Sequence, residues 1–155
     1  MKAIVSGSFD PFTNGHLHIV KQACEMFETL YVVIFINAKK TRTYPVDKIV
    51  KGIQETLKEE GISNVIVDSS EDLLADYCLN HSIDYTVRGL RNNMDYNYEE
   101  NIAEVNKLLN PHLKPIYFRT EAAGVSSSMV KELLRYNKDV SKYVPIPILN
   151  ILKEE

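Results

Sequence analysis

The chain alternates between two kinds of hydrophobic pattern. Short, nearly unbroken apolar runs rich in β-branched and aromatic residues occur at KAIVS (2–6), YVVIFI (31–36), NVIVD (64–68), DYTVR (84–88) and PIYFR (115–119). Runs of this length without polar alternation fit strands covered on both faces. Between them, apolar residues recur at intervals of three and four, the spacing of one helix face. Over 15–29, Ile19, Ala23 and Met26 share a face with Val20 and Phe27; over 46–60, Ile49, Ile53 and Leu57 form a stripe; over 94–109, Met94, Tyr98, Ile102, Val105 and Leu109 do the same. A shorter helix is predicted over 70–80, carrying Leu73, Leu74 and Tyr77, with Ser69 and Asp72 as a capping-box-like start. Two more are expected near 128–136 and 146–153.

Strands alternating with helices predict an α/β fold, a doubly wound five-stranded parallel sheet with helices on both faces. With no internal repeat, low-complexity tract or linker in its 155 residues, the chain reads as one domain, 1–155, around a single core. Ligands of such sheets bind beyond the carboxyl ends of the strands, where the strand order reverses. The segments that follow the strands are therefore the ones to inspect.

Four of these segments hold most of the unusual polar chemistry. GSFDPFTNGH (7–16) follows the first strand and leads into a helix. There Gly7 allows close backbone approach, Ser8 offers a hydroxyl and an N–H, and Gly15 and His16 stand where a helix N-terminus would present N–H groups to phosphate. The bland alternative is a tight turn capped by Asn14 with a surface histidine. The loop after the second strand offers Lys39, Lys40 and Arg42, which on composition alone is a solvated basic loop. RGLR (88–91) brings two arginines to the end of a buried strand, and their anionic partner is either Asp10 or Asp95, or a ligand phosphate. VSSS (125–128) precedes an amphipathic helix that needs only one serine as a cap, leaving the others for an anion. Glu99 lies off the apolar stripe of its helix, whereas Tyr98 lies on it. The inventory suits a polyphosphate. Neither GxxxxGK[ST] nor GxGxxG is present, which disfavours P-loop enzymes and dinucleotide-binding folds.

Charge and composition narrow the classes further. A net charge of −3 gives no global basic field for nucleic acid, so no nucleic-acid partner is expected. No apolar run approaches the roughly 20 residues of a membrane span, and no signal peptide is legible at MKAIVSGSF. Cys24 and Cys78 lack metal or CxxC spacing and read as reduced cysteines of a cytoplasmic protein, with no protein metal site.

TNGH resembles the (H/T)xGH motif of the nucleotidylyltransferase superfamily, and VSSSMVKE its second, ISSSxVR-type signature. With RGLRNNMDYNYE between them, nearly the whole chain resembles bacterial phosphopantetheine adenylyltransferases. The resemblance implies a Rossmann-like sheet, usually in a homohexamer, that transfers AMP from ATP to 4′-phosphopantetheine with Mg2+ assisting. It implies catalytic roles for His16, Lys40 and Arg91. It implies ATP contacts from Ser8, Phe9, His16, Gly89, Leu90, Arg91, Glu99, Ala122, Ala123, Gly124, Val125, Ser126, Ser127 and Ser128. Acceptor contacts are implied for Ser8, Lys40, Leu74 and Arg88. Ser8 stands where Thr is common, Val125 where Ile is usual, and Ala122–Gly124 where many members are bulkier and often aromatic. The rival readings are another nucleotidylyltransferase, which would more commonly carry HxGH, and a module that binds ATP without turnover.

Overall fold

The computed structural model describes residues 1–90, 93–120 and 126–154. In chain order the elements are β1 (Lys2–Gly7), α1 (Asn14–Met26), β2 (Thr29–Phe35), α2 (Val46–Glu59), β3 (Val65–Ser70), α3 (Leu74–Asn80), β4 (Tyr85–Leu90), α4 (Asn93–Leu109), β5 (Lys114–Arg119), α5 (Ser127–Arg135) and α6 (Ile146–Glu154). All strand pairs are parallel, in the order β3-β2-β1-β4-β5. The expected doubly wound, Rossmann-like sheet is therefore present. Its order reverses between β1 and β4, where Val5 pairs with Val87.

Side chains of successive strand residues leave on opposite faces, so the inner strands β1 and β2 feed two cores, whereas the edge strands β3 and β5 are only partly covered. Ala3, Val5, Leu30, Val32 and Ile34 join Ile19, Val20, Ala23, Ile49, Ile53 and Leu57 on one face, with Val130 and α6 residues Ile148, Ile151 and Leu152. Ile4, Tyr31 and Val33 face Tyr77, Cys78, Ile83 and Leu113 on the other. This double burial is why the inner strands read as continuous apolar runs.

Three sequence expectations shift. The first helix ends at Met26 rather than 29, because Thr29 and Leu30 pair with Lys2 and Ala3; Met26 is consequently exposed while Phe27 is buried. Ser69 and Asp72 do not cap α3. Ser69 and Ser70 extend β3 by pairing with Ile34 and Phe35, and α3 starts after Leu73, without a side-chain cap. The α4 stripe is not core along its length: Val105 and Leu109 are exposed, and Leu108 is 83% exposed. Met94 and Tyr98 have side chains outside the described residues.

Gly89 sits where β4 passes beneath α1 and beside the end of β5. A Cβ there would lie 2.7 Å from Thr120 Cγ2 and 2.9 Å from Ile19 Cδ1. Its absence lets the strand that carries Arg88 approach the helix that carries His16. Gly89→Ala is expected to lower stability by about 1–3 kcal/mol through overpacking. Urea unfolding checks this: an unchanged midpoint would mean that Ile19 and Thr120 yield freely.

Candidate active site

Residues 8–13 bend the chain from β1 into α1. Phe9 adopts a left-handed φ of 46°, uncommon for a bulky residue, and is only 2% exposed. Its ring packs edge-on against Phe12, with centroids 5.5 Å apart, and against His16 at 4.9 Å. Gly7 makes room for it: a Cβ at Gly7 would lie 3.3 Å from the Phe9 ring. This glycine therefore serves the aromatic packing. With so little of Phe9 exposed, its side chain serves the packing of the turn.

Thr13, fully buried, is the N-cap of α1. Its hydroxyl accepts from the His16 N–H at 3.4 Å, and its own N–H donates to His16 Nδ1 at 3.0 Å. This is a capping box with histidine in place of the usual Glu or Gln. Asn14, the cap in the bland alternative, instead ties the turn to the C-terminal region: its N–H donates to Tyr143 O at 2.8 Å and its Nδ2 to Lys142 O at 2.9 Å. Two of the first three helix N–H groups are thus satisfied by protein, so α1 offers less of an open anion cradle than its sequence implies.

The capping box fixes the state of His16. Since Nδ1 accepts a hydrogen bond, the neutral ring carries its proton on Nε2, which remains a donor. Burial, with the positive charge of Arg88 as a second cause, lowers its pKa to about 4. Arg88 reaches the turn from β4 and donates from Nη1 to Ser6 O at 2.9 Å.

Asp10 gathers the other segments. Its carboxylate accepts from the N–H of Thr43 at 2.9 Å and of Tyr44 at 2.8 Å, with Arg42 Nη2 and Lys131 Nζ each 3.8 Å away. Arg42 is not the solvated charge its loop suggested. Its side chain turns inward and donates to Ser8 O, Phe9 O and Tyr44 O. From α5, the Ser127 hydroxyl donates to Pro11 O at 2.6 Å. Of the serine run, Ser126 caps α5 by accepting from Met129 N at 3.1 Å, Ser127 is tied to the first turn, and Ser128 is exposed. Only Ser128 keeps the uncommitted hydroxyl that the run suggested.

Beside this turn lies a cleft of about 760 Å3, the size of a small-molecule site. It is lined by Ser6, Gly7 and Ser8 after β1, by Phe35 to Ala38 after β2, and by Glu71 to Leu74 at the start of α3, with Ile102 of α4. Ser8 and Leu74, both predicted acceptor contacts, meet here. Lys40 is exposed two residues beyond the cleft wall, its N–H donating to Asn37 O. Gly89 and Leu90 end β4, where the Leu90 carbonyl accepts from the N–H and hydroxyl of Thr120. Arg91, Ala122, Ala123, Gly124 and Val125 lie outside the described residues, as do the side chains of Glu99 and Asp95.

A cytidylyltransferase-like family model matches residues 4–133, a span containing both helix-start motifs and the cleft. The chain is 42% identical to the phosphopantetheine adenylyltransferase of Shouchella clausii over 155 residues, covering 99% of this chain and 96% of that one. The chain belongs to the phosphopantetheine adenylyltransferase family. It is also 40% identical to the phosphopantetheine adenylyltransferase of Petrotoga mobilis, with 99% and 94% covered. The fold is shared more widely. A putative nicotinate-nucleotide adenylyltransferase from Vibrio parahaemolyticus superposes with a TM-score of 0.72 at 17% identity, over 99% of this chain and 91% of that one.

The residues that sequence reasoning underrated in this phosphopantetheine adenylyltransferase homologue are Thr13, Arg42 and Lys131. Thr13 and His16 stand at capping-box spacing, but histidine at the fourth position hides the pattern. Nothing local in the sequence marks Arg42 or Lys131 as inward-facing.

The His16 environment makes a measurable claim. Its ring should titrate with a midpoint of about 4 instead of the ordinary 6.5. The folded state then binds fewer protons than the unfolded one between these values. Stability contributed by neutral His16 is full above pH 6.5 and is lost as the pH falls toward 4. An NMR titration of the His16 ring protons in the ligand-free protein checks the midpoint, and a value near 6.5 would contradict the burial and tautomer described.

Proposed function

We propose that this chain transfers the adenylyl group of ATP to 4′-phosphopantetheine, giving dephospho-coenzyme A and pyrophosphate in coenzyme A biosynthesis. The observation that carries the reading is His16, held by its capping box as an Nε2–H donor at the switch point of the sheet, beside Arg88. The family membership supplies the substrate pair.

The acceptor is a phosphate monoester, already ionised near neutral pH, and needs no general base. One of its oxygens attacks the α-phosphorus in line, the bond to the bridging oxygen breaks, and pyrophosphate departs with that oxygen. The enzyme's task is to position the two phosphates and stabilise the charge that shifts between them. In this scheme His16 Nε2–H donates to an α-phosphoryl oxygen, and Lys40 and Arg91 add positive charge. Ser8, Lys40, Leu74 and Arg88 hold the acceptor in the cleft. Ser8, Phe9, Gly89, Leu90, Arg91, Glu99 and the run Ala122–Ser128 hold ATP.

Mg2+, which the resemblance implies, would enter with the nucleotide. Among the described residues no group of three His, Cys, Asp or Glu side chains could hold a metal, and the Asp10 carboxylate is engaged by protein donors. These residues do not fit a protein-held ion. Phosphate oxygens and water would coordinate it, as Mg2+ commonly prefers.

We also infer a homohexamer. Exposed Leu73 just before α3 and Leu79 on it, with Val105, Leu108 and Leu109 on the neighbouring α4, leave apolar surface uncovered in a single chain. A cytoplasmic setting suits the two free cysteines. Among the described residues no helix is long and apolar enough to cross a membrane.

Pyrophosphate release tests the activity. ATP with 4′-phosphopantetheine should turn over faster than CTP with glycerol phosphate or ATP with nicotinate mononucleotide; either rival pair winning would overturn the substrate assignment. In the same assay His16→Ala should lose roughly 100- to 1,000-fold in kcat with little change in ATP affinity. Sedimentation should give a species six times the 17.7 kDa chain mass, and a monomer alone at working concentration would remove the hexamer.

A further inference from the structure

The first turn contains a local conflict. The carbonyls of Ser8 and Phe9, adjacent in the chain, both accept from one side chain, and Phe9 holds a left-handed φ of 46°. A bulky residue in that region is strained and persists only where its surroundings over-determine it. Gly7 clears space for the Phe9 ring, and Phe12 and His16 pack against it. These contacts place the ring. They do not hold the carbonyls.

Arg42 does. Its Nη1 donates to Ser8 O, its Nη2 donates to Phe9 O at 3.4 Å, and its Nε donates to Tyr44 O at 3.0 Å, so one planar fork ties the β1–α1 turn to the loop after β2. Asp10 balances the charge from 3.8 Å and binds the same loop through Thr43 and Tyr44 N–H. The Arg42 side chain is 17% exposed and its fork is engaged by protein oxygens. It sits between the two segments that carry the chemistry: His16 touches Phe9, Ser8 lines the cleft, and Lys40 lies two residues before Arg42.

We propose that Arg42 is a positioning residue for adenylyl transfer. It touches no substrate. By clamping the Ser8 and Phe9 carbonyls it holds Ser8 and His16 in register with the Lys40 loop, so that nucleotide and acceptor sites keep one spacing. The inference rests on the adenylyl-transfer reading above, and the variant is always compared with wild type. Absence of wild-type turnover would remove that reading, whereas the variant ratio addresses Arg42 alone.

The test is the set Arg42→Ala, Arg42→Gln and Arg42→Lys, assayed by pyrophosphate release with ATP and 4′-phosphopantetheine. Displacement of reacting groups by about 1 Å costs up to roughly 100-fold. Arg42→Ala should therefore lose about 10- to 100-fold in kcat while KM for ATP moves less than about 3-fold. Millimolar guanidinium, well below denaturing levels, should restore part of the lost kcat by occupying the vacated fork site. Arg42→Lys, which keeps charge but loses the fork, should stay closer to Arg42→Ala than to wild type. The His16 ring resonances should shift or broaden in each variant, although His16 is 26 residues away in sequence. Wild-type kcat in a folded Arg42→Ala would overturn the proposal. So would a raised KM for ATP at unchanged kcat, the sign of a direct ligand contact. If Arg42→Ala does not fold, Arg42→Gln, which keeps a donor and most of the volume, replaces it. Lost kcat in that variant without guanidinium rescue or a His16 spectral change would reduce Arg42 to a structural tie.

Discussion

The site depends on one carboxylate. Asp10 accepts two backbone N–H bonds from Thr43 and Tyr44 and lies within ion-pair distance of Arg42 and Lys131. It thereby joins the turn after β1, the loop after β2 and helix α5. A largely buried carboxylate is stable only when such donors replace its water, and bonds to a charged group are worth about 1.5–3 kcal/mol each. The converse also holds. The Arg42 and Lys131 charges can stand beside the proposed phosphate site without closing on it because Asp10 engages them. Arg88 approaches from the opposite side of β1, where it donates to Ser6 O.

The sheet explains why these pieces need only one linchpin. In the order β3-β2-β1-β4-β5, the chain leaves β1 toward β2, then returns to the other side of β1 to make β4. The two crossovers diverge there, which opens space above β1 for the first turn and the cleft. Gly89 lets β4 lie close under α1, so Arg88 and His16 become neighbours even though 72 residues separate them in sequence.

Much of this was legible in the sequence because it rests on periodicity. Inner strands buried on both faces, β1 and β2, must be apolar at successive positions, and the edge strands β3 and β5 keep enough β-branched and aromatic residues that all five could be read, each to within two residues at its ends. The buried stripe of α2, Ile49, Ile53 and Leu57, could be read as well. What could not be read depends on competition between long-range and local bonds. Ser69 and Ser70 are good helix-capping material, yet ladder bonds to β2 outweigh a cap, and β3 takes them. Val105 and Leu109 have core spacing, yet both are exposed. Arg42 reads as a surface charge because the carbonyls it serves belong to residues 8 and 9, and no window around residue 42 contains them. Thr13 and His16 were visible as a motif, but their mutual bonds were not, since histidine in a capping box follows from geometry rather than composition.

That capping box also bears on the chemistry. A cationic histidine would bind a triphosphate strongly in the ground state, and attraction present before the reaction does not accelerate it. In the proposed reaction, His16 held neutral would contribute a directed N–H dipole whose value grows as negative charge moves onto the oxygens it faces. Bound phosphates must raise its pKa, because negative charge favours the protonated ring. From a starting value of about 4, a rise of roughly two units still leaves the ring mostly neutral at pH 7. Burial and Arg88 thus act as a reserve against the ligand's own field. The Thr13 N–H acts with them, since protonating the ring would place a second proton at Nδ1, where that N–H already points. The same hydrogen bond starts the helix, selects the tautomer and opposes protonation, so the fold and the proposed chemistry of His16 rest on one contact.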